Sequence, residues 1–204
     1  MSPDYQGCHL CENTSEFVCS QCERPICGND SRIRVICPHC LKPTKCSFSL
    51  HQAHCEDIGV IENLVERFWG EPDQRIFDRT FRVTDYPAIV AEIEEKVVGF
   101  IAFTPFNQHA VLIVAVGILP QYQGCGIGKA FLKEVEDYAR QQQKQQLLVV
   151  TSNDNLPALA FYQQNGFQLF EVIPNVIAQK LGSLQLGIAK IPIRDELRLR
   201  KLLQ

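Results

Sequence analysis

IVAVGILPQYQGCGIGKAFLKEVEDYARQ, residues 113–141, changes character twice along its length. It opens as a run of β-branched and aliphatic side chains, breaks at Pro120, and passes three closely spaced glycines, Gly124, Gly126 and Gly128. Beyond them Phe131, Leu132, Val135, Tyr138 and Ala139 recur at the spacing of one helix face, so the segment reads as strand, glycine turn, helix. Such a corner has a chemical use. Glycines let backbone amides approach a ligand with no Cβ in the way, and the first turn of a helix carries unpaired N–H groups and a partial positive charge. Phosphates are its natural guest.

Two phosphate loops are excluded by the residues themselves. A P-loop needs Gly-Lys-Ser/Thr, and Lys129 is followed here by Ala130; a dinucleotide fingerprint spaces its glycines differently and wants an acidic residue about 20 positions on. The run Gln123-Gly124-Cys125-Gly126-Ile127-Gly128 instead resembles the Gln/Arg-x-x-Gly-x-Gly/Ala loop with which the GNAT superfamily of N-acyltransferases binds acyl-CoA.

The chain has 204 residues, enough for one large domain or two unequal ones, and a formal net charge of -3. That balance does not suggest a nucleic-acid binder, and within residues 1–45 the basic and acidic side chains offset each other. The longest apolar run, residues 110–119, has the length of a strand and falls short of the roughly 18 residues that cross a bilayer. The opening MSPDYQGCHLCEN lacks the apolar core of a secretory signal. The expectation is a cytoplasmic protein without membrane or nucleic-acid partners.

Nine of the ten cysteines fall between Cys8 and Cys55, and a reducing compartment argues for metal rather than disulfides. Residues 1–45 show little apolar periodicity, so structural zinc is the expected substitute for a buried core. The spacing agrees: Cys8-x2-Cys11, Cys19-x2-Cys22, Cys27-x2-Asp30 and Cys37-x2-Cys40 form four ligand pairs, which imply two zinc ions. Tandem pairs suggest a cross-brace. The phrase running from Phe17 to Cys27, FVCSQCERPIC, resembles a B-box zinc finger, although a B-box closes with two histidines where Cys37 and Cys40 stand here. Cys46, His51, His54 and Cys55 either form a third site or belong to the domain that follows.

From residue 46 the pattern becomes that of an α/β domain with a mixed sheet. A short strand at residues 47–50 precedes a helix over residues 56–69, whose apolar face is Ile58, Ile61, Leu64, Val65 and Phe68 and whose stop is Gly70. Strands are expected at residues 81–83, at 89–94 and 97–104 across a turn at Glu95-Lys96, at 110–119, at 146–152, at 167–173 and at 191–199; residues 174–190 are ambiguous. Asn155-x-x-Ala158-x-x-Phe161-Tyr162-x-x-x-Gly166-Phe167, about thirty residues after the glycine loop, resembles the second GNAT signature. Residues 46–204 are accordingly identified as a GNAT N-acetyltransferase domain, preceded by a zinc-binding domain over residues 1–45.

The resemblance implies acetyl-CoA as cosubstrate and an amine as acceptor. Strands 110–119 and 146–152 are expected to be parallel neighbours that splay, with backbone near Val116 and Ile118 pairing the pantetheine arm and the loop from Gln123 through Gly124, Cys125, Gly126, Ile127, Gly128 and Lys129 holding the pyrophosphate. By the same analogy the Ile118 N–H is the oxyanion donor, Tyr162 the acid for the departing thiolate, and Asn155 a contact to the pantetheine region or a helix cap. For the base, Glu62, Glu66, Asp85, Glu92 and His109 are candidates by residue type alone. Two functions follow: an acetyltransferase whose zinc domain recruits substrate or a protein partner, or an interaction protein whose second domain senses acyl-CoA or serves as scaffold.

Overall fold

The computed structural model describes residues 46–203 together with the backbone of two short strands, β1 (Phe17–Val18) and β2 (Pro25–Ile26), which pair antiparallel. The eight expected zinc ligands, Cys8, Cys11, Cys19, Cys22, Cys27, Asp30, Cys37 and Cys40, lie outside the described residues.

The body is a seven-stranded sheet built from β3 (Ser49–Gln52), β6 (Ala88–Ile93), β7 (Lys96–Pro105), β8 (Ala110–Ile118), β9 (Gln146–Ser152), β10 (Gln168–Ile173) and β13 (Glu196–Leu202). Their order is β10-β13-β9-β8-β7-β6-β3, and among the described residues β8 and β9 form its one parallel pair. The last strand in the sequence is thus inserted between β9 and β10. Hairpin β4 (Asp73–Ile76) and β5 (Arg79–Arg82) and the small pair β11 (Gln185–Leu186) and β12 (Pro192–Ile193) stand apart from it.

Each face of the sheet carries its own core. On one, Ile101, Phe103, Val111, Ile113, Leu147 and Leu199 pack against Phe131, Leu132, Val135 and Ala139 of α2 (Ile127–Gln141) and Tyr162 of α3 (Leu156–Gln164). On the other, Val90, Phe100, Leu112 and Leu148 meet Ile61, Leu64 and Val65 of α1 (Ile58–Trp69). Central strands apolar on both sides are what a twice-covered sheet requires, and truncating one of their buried Leu or Ile residues to Ala costs about 2–5 kcal/mol.

Helix α1 begins after a 3-10 turn at Cys55–Asp57 and ends where Gly70, at φ +70°, donates its N–H to the Glu66 carbonyl. Three expectations shift. The β6–β7 turn is Glu94-Glu95, both at positive φ, one residue before the expected Glu95-Lys96. Of residues 81–83, Phe81 and Arg82 end the second arm of the β4–β5 hairpin while Val83 opens a 3-10 turn, and the hairpin's Phe77-Asp78 turn also has positive φ without the usual glycine. The expected strand at 191–199 is split into β12 and β13, and the ambiguous 174–190 stretch folds into α4 (Val176–Leu181), β11 and a 3-10 turn at Ile188–Lys190. No described helix is long and apolar enough to cross a membrane.

Candidate active site

Strands β8 and β9 pair only at Ala110↔Gln146, Val111↔Leu147 and Leu112↔Leu148. Directly beyond, the β7–β8 register slips, from Phe103↔Ile113 to Ala102↔Ala115, leaving Val114 as a bulge. A bulged residue changes the parity of the strand and bends it. Val114 and Ala115 both enter the α1-side core, while Val116 and Ile118 pack against the α2 side. The two strands diverge from there, so the β9-facing edge of β8 from Ala115 to Ile118 has no strand partner among the described residues. The splay that the resemblance implies between strands 110–119 and 146–152 is present, and the bulge adjoins the point where their pairing ends.

Gly117 sits in the middle of this edge. A Cβ on it would lie 2.6 Å from the Phe68 ring, so the glycine is what lets α1 come down onto β8 beside the splay. Gly99 answers from β7, where a Cβ would meet the Gly117 carbonyl at 2.7 Å.

The corner after β8 is held by its own chain. Tyr122 N–H donates to the Leu119 carbonyl, Gln123 N–H to the Pro120 carbonyl, and the Gln123 side-chain amide to the Ile118 carbonyl at 2.9 Å. Gln123 therefore anchors the loop through its side chain. From Gly124 to Lys129 the amides have no backbone or side-chain acceptor among the described residues; the first helical bond is Ala130 N–H to the Gly126 carbonyl. These six N–H groups precede and open α2, where anions are favoured. Gly124 and Gly126 both adopt φ +91°, a conformation strained for any side chain, whereas Gly128 is needed for space, since its Cβ would lie 3.0 Å from the Phe161 ring. Lys129 is exposed at the rim of a groove of about 430 Å³ that it shares with Lys133, Asn165 and Lys201.

Cys125 departs from expectation. The structure bonds its sulfur to Cys46, 79 residues earlier, with Cα atoms 5.5 Å apart. The expectation of cysteines free of disulfides is corrected at this pair, and Cys46, so bonded, is not a free thiolate for a third metal site with His51, His54 and Cys55. Among the described residues no three His, Cys, Asp or Glu side chains come together as a metal site. His51 lies on β3, where Nδ1 meets the Gln52 carbonyl at 3.1 Å and Nε2 meets Glu92 at 3.4 Å; its ring stacks on His54, and Cys55 is an exposed thiol.

The corner after β9 is made of Asn153, Asp154 and Asn155. The Asn155 side-chain oxygen accepts from Ala158 N–H at 3.2 Å and caps α3, with Pro157 in its first turn. Asn153 accepts from the N–H groups of Arg194 and Asp195, both at 2.8 Å, and donates to the Pro192 carbonyl at 2.9 Å. Asp154, 6% exposed, accepts from Ser152 and from Ile188 N–H at 3.3 Å. A Cβ on Gly187 would overlap its carboxylate, so that glycine is the one residue type the contact admits. Sequence reading missed the contacts that Asn153 and Asp154 make with residues 187–195, more than thirty residues away in the chain.

Tyr162 is 4% exposed, between the Phe161 and Phe167 rings, in the same cluster that Val116, Ile118 and Cys125 pack against. Burial pushes its phenol pKa above the ordinary value, because the phenolate cannot be solvated there. The hydroxyl thus stays protonated through the physiological range, as a proton donor must.

The base candidates separate by position. His109 precedes β8 at the end opposite the glycine loop, about 30 Å from Ile118 at 3.3 Å per residue. Glu92 is engaged with His51 at the sheet edge. Glu62 and Glu66 line a cavity of about 300 Å³ beside α1, with Val65, Pro72, Arg82 and Thr84, and Asp85 closes the turn that follows Arg82. A network missed in the sequence is centred on β13. Arg198 on β13 bonds Glu196 at 2.6 Å and Glu171 at 2.9 Å and lies 4.4 Å over the Phe77 ring, tying the β4–β5 hairpin to the sheet.

Comparison with known proteins agrees with this geometry. The model of the acetyltransferase (GNAT) family matches residues 52–167. YxbD of Bacillus subtilis is 31% identical over 150 residues, 71% of this chain and 92% of that protein. Among solved structures, the IAA acetyltransferase of Bacillus cereus superposes with a TM-score of 0.65 at 22% identity, covering 77% of this chain and all of that one. A GNAT acetyltransferase of Elizabethkingia anophelis with acetyl-CoA bound does so with a TM-score of 0.65 at 18% identity, covering 76% of this chain and 98% of that one. The chain is therefore an acyltransferase and belongs to the acetyltransferase (GNAT) family.

Proposed function

We propose that the chain is an acetyl-CoA-dependent N-acetyltransferase that acetylates an amine by direct attack on the thioester. The observation that carries this reading is the splay of β8 from β9 beside a loop whose amides, Gly124 to Lys129, have no acceptor among the described residues. An extended amide-bearing arm fits an unpaired strand edge, and a pyrophosphate fits a helix N-terminus. Val116 and Ile118 offer backbone groups to the arm; Gly124, Cys125, Gly126, Ile127, Gly128 and Lys129 offer N–H groups to the phosphates. Acetyl-CoA, when bound, supplies the activated acyl group.

The remaining work falls to the chain. In this reading the Ile118 N–H stabilises negative charge on the acyl oxygen, and Tyr162 holds a proton for the departing sulfur. Asn155 spends its side-chain oxygen on the α3 cap, which leaves its NH2 group for the pantetheine. Glu62 and Glu66 beside the α1 cavity suit a cationic acceptor, with substitution of Glu66 by Gln expected to raise the amine KM. We also propose that residues 1–45 bind two structural zinc ions through Cys8, Cys11, Cys19, Cys22, Cys27, Asp30, Cys37 and Cys40 and recruit the substrate or a protein partner. The spacing of the ligand pairs supports this, and two zinc per chain by elemental analysis is the expected result.

A thermal-shift titration with acetyl-CoA on the wild type and on Gly126→Arg tests the main reading. Stabilisation of about 2.7 kcal/mol at a hundred times the dissociation constant is expected in the wild type and none in the variant. No shift in either protein would overturn cofactor binding and leave a scaffold.

A further inference from the structure

We infer that Cys46 and Cys125 form a thiol–disulfide site that governs the cofactor loop, an inference that rests on acetyl-CoA binding at that loop. Strand topology brings the two together independently of the bond itself. Leu50, Ala91, Gly99 and Ile118 form one row across β3, β6, β7 and β8, and β3 runs opposite to β8. The residues before β3 therefore leave the sheet at the end where β8 passes into the glycine loop. Phe48, Leu50 and Cys125 pack against the same α2-side cluster, which sets Cys46 beside the loop.

The position of Cys125 gives the bond a consequence. It lies between Gly124 and Gly126, both at φ +91°, in the run of open amides. Closed, the disulfide ties this run to the strand-bearing body with its N–H groups presented. Open, the flanking glycines regain the freedom that glycine has in an untethered loop, and an incoming anion must order them again. The oxidised form is accordingly the tighter binder.

The chemistry balances with a low-molecular-weight disulfide as oxidant. One cysteine thiolate attacks a sulfur of the oxidant and releases the first small thiol. The other cysteine thiolate attacks the mixed disulfide, forms the Cys46–Cys125 bond and releases the second. Two electrons and two protons pass from the cysteine pair to the two small thiols, and a dithiol reductant reverses the exchange. In a reducing compartment a disulfide of this kind is a transient, sensing one.

The test uses the full chain equilibrated with oxidised glutathione or with a dithiol reductant, beside Cys46→Ser treated identically. Acetyl-CoA binding is measured by calorimetry, and peptides are mapped after alkylation, with the exposed Cys55 thiol as the internal control for labelling. The expected results are a Cys46–Cys125 linked peptide in the oxidised wild type alone, and an acetyl-CoA Kd about three- to tenfold lower in that form than in the reduced protein. Cys46→Ser should match the reduced wild type in both buffers. Equal affinity in both wild-type states, a redox effect that persists in Cys46→Ser, or full alkylation of Cys46 and Cys125 after oxidation would each overturn the inference. Binding absent from every form would overturn the cofactor reading and the governing role together, whereas binding that is present but indifferent to redox state sinks the inference alone.

Discussion

Two strand-to-helix corners sit at the same end of the sheet, one after β8 and one after β9, and they are built in opposite ways. The first, Gln123 to Lys129, leaves six successive amides without acceptors among the described residues and uses one side chain, Gln123, to hold itself down. The second, Asn153 to Asn155, spends all three side chains on the chain's own backbone, from Ala158 to Asp195. The first turn of a helix leaves N–H groups that water or an anion can satisfy, so a corner that keeps its amides open is free to take an anionic ligand. A corner whose side chains hold the chain's own backbone is masonry. The splay lies between them, with a binding wall on one side and a supporting wall on the other.

Substitutions can break this contrast. Tyr162→Phe, on the helix that the second corner launches, is expected to lower kcat about 100-fold while leaving the acetyl-CoA Kd within twofold. Unchanged turnover would return Tyr162 to a purely packed role. Asn153→Ala removes three hydrogen bonds to the 192–195 segment and should cost about 2–3 kcal/mol in denaturant unfolding, with acetyl-CoA affinity changed far less than stability. If affinity fell in proportion, the two corners would not be separable. Asn155→Ala loses the α3 cap and should cost about 1 kcal/mol, and Asn155→Asp should restore most of it.

The smallest effect expected is one of pH. The Asn175 N–H held by Asp195, with Arg194 beside it, keeps the Asp195 carboxyl below its usual pKa. A carboxylate depressed in the folded state adds stability above its unfolded pKa and loses it as pH falls through the folded one. The Tm difference between wild type and Asp195→Asn, of about a few degrees at neutral pH, should therefore shrink below about pH 4. A difference that did not narrow in acid would mean that the charge of Asp195 does not support the second corner.

The first corner was legible in the sequence because its conformation restricts composition. Left-handed backbone at Gly124 and Gly126 and the close approach at Gly128 each call for glycine, and the apolar spacing of α2 follows at once. The second corner was half legible. Asn155 and Pro157 mark a helix start in a local window, but Asn153 and Asp154 act on residues 188–195, and nothing near them in the chain records it. The bulge at Val114 leaves no compositional mark, since an ordinary aliphatic residue fills it. The Phe77-Asp78 turn was hidden for the opposite reason, because it takes a conformation that usually advertises itself with glycine. The bond between Cys46 and Cys125 spans 79 residues and links a cysteine beside the metal-type pairs to one in the glycine loop, a pairing that spacing cannot reveal.

The place of β13 carries a consequence for folding. β9, the supporting wall of the splay, borders β8 at three positions and β13 at seven, so most of its ladder comes from the last strand in the sequence. Strands β6, β7 and β8 can pair as a meander of local hairpins, whereas β9 and β10 await a partner that follows the whole 174–195 excursion. Until β13 arrives, both present bare strand edges, the geometry that invites pairing with another chain. A chain ending before Glu196 would thus keep its glycine loop yet be prone to aggregate, and the same holds for the nascent protein until β13 has left the ribosome.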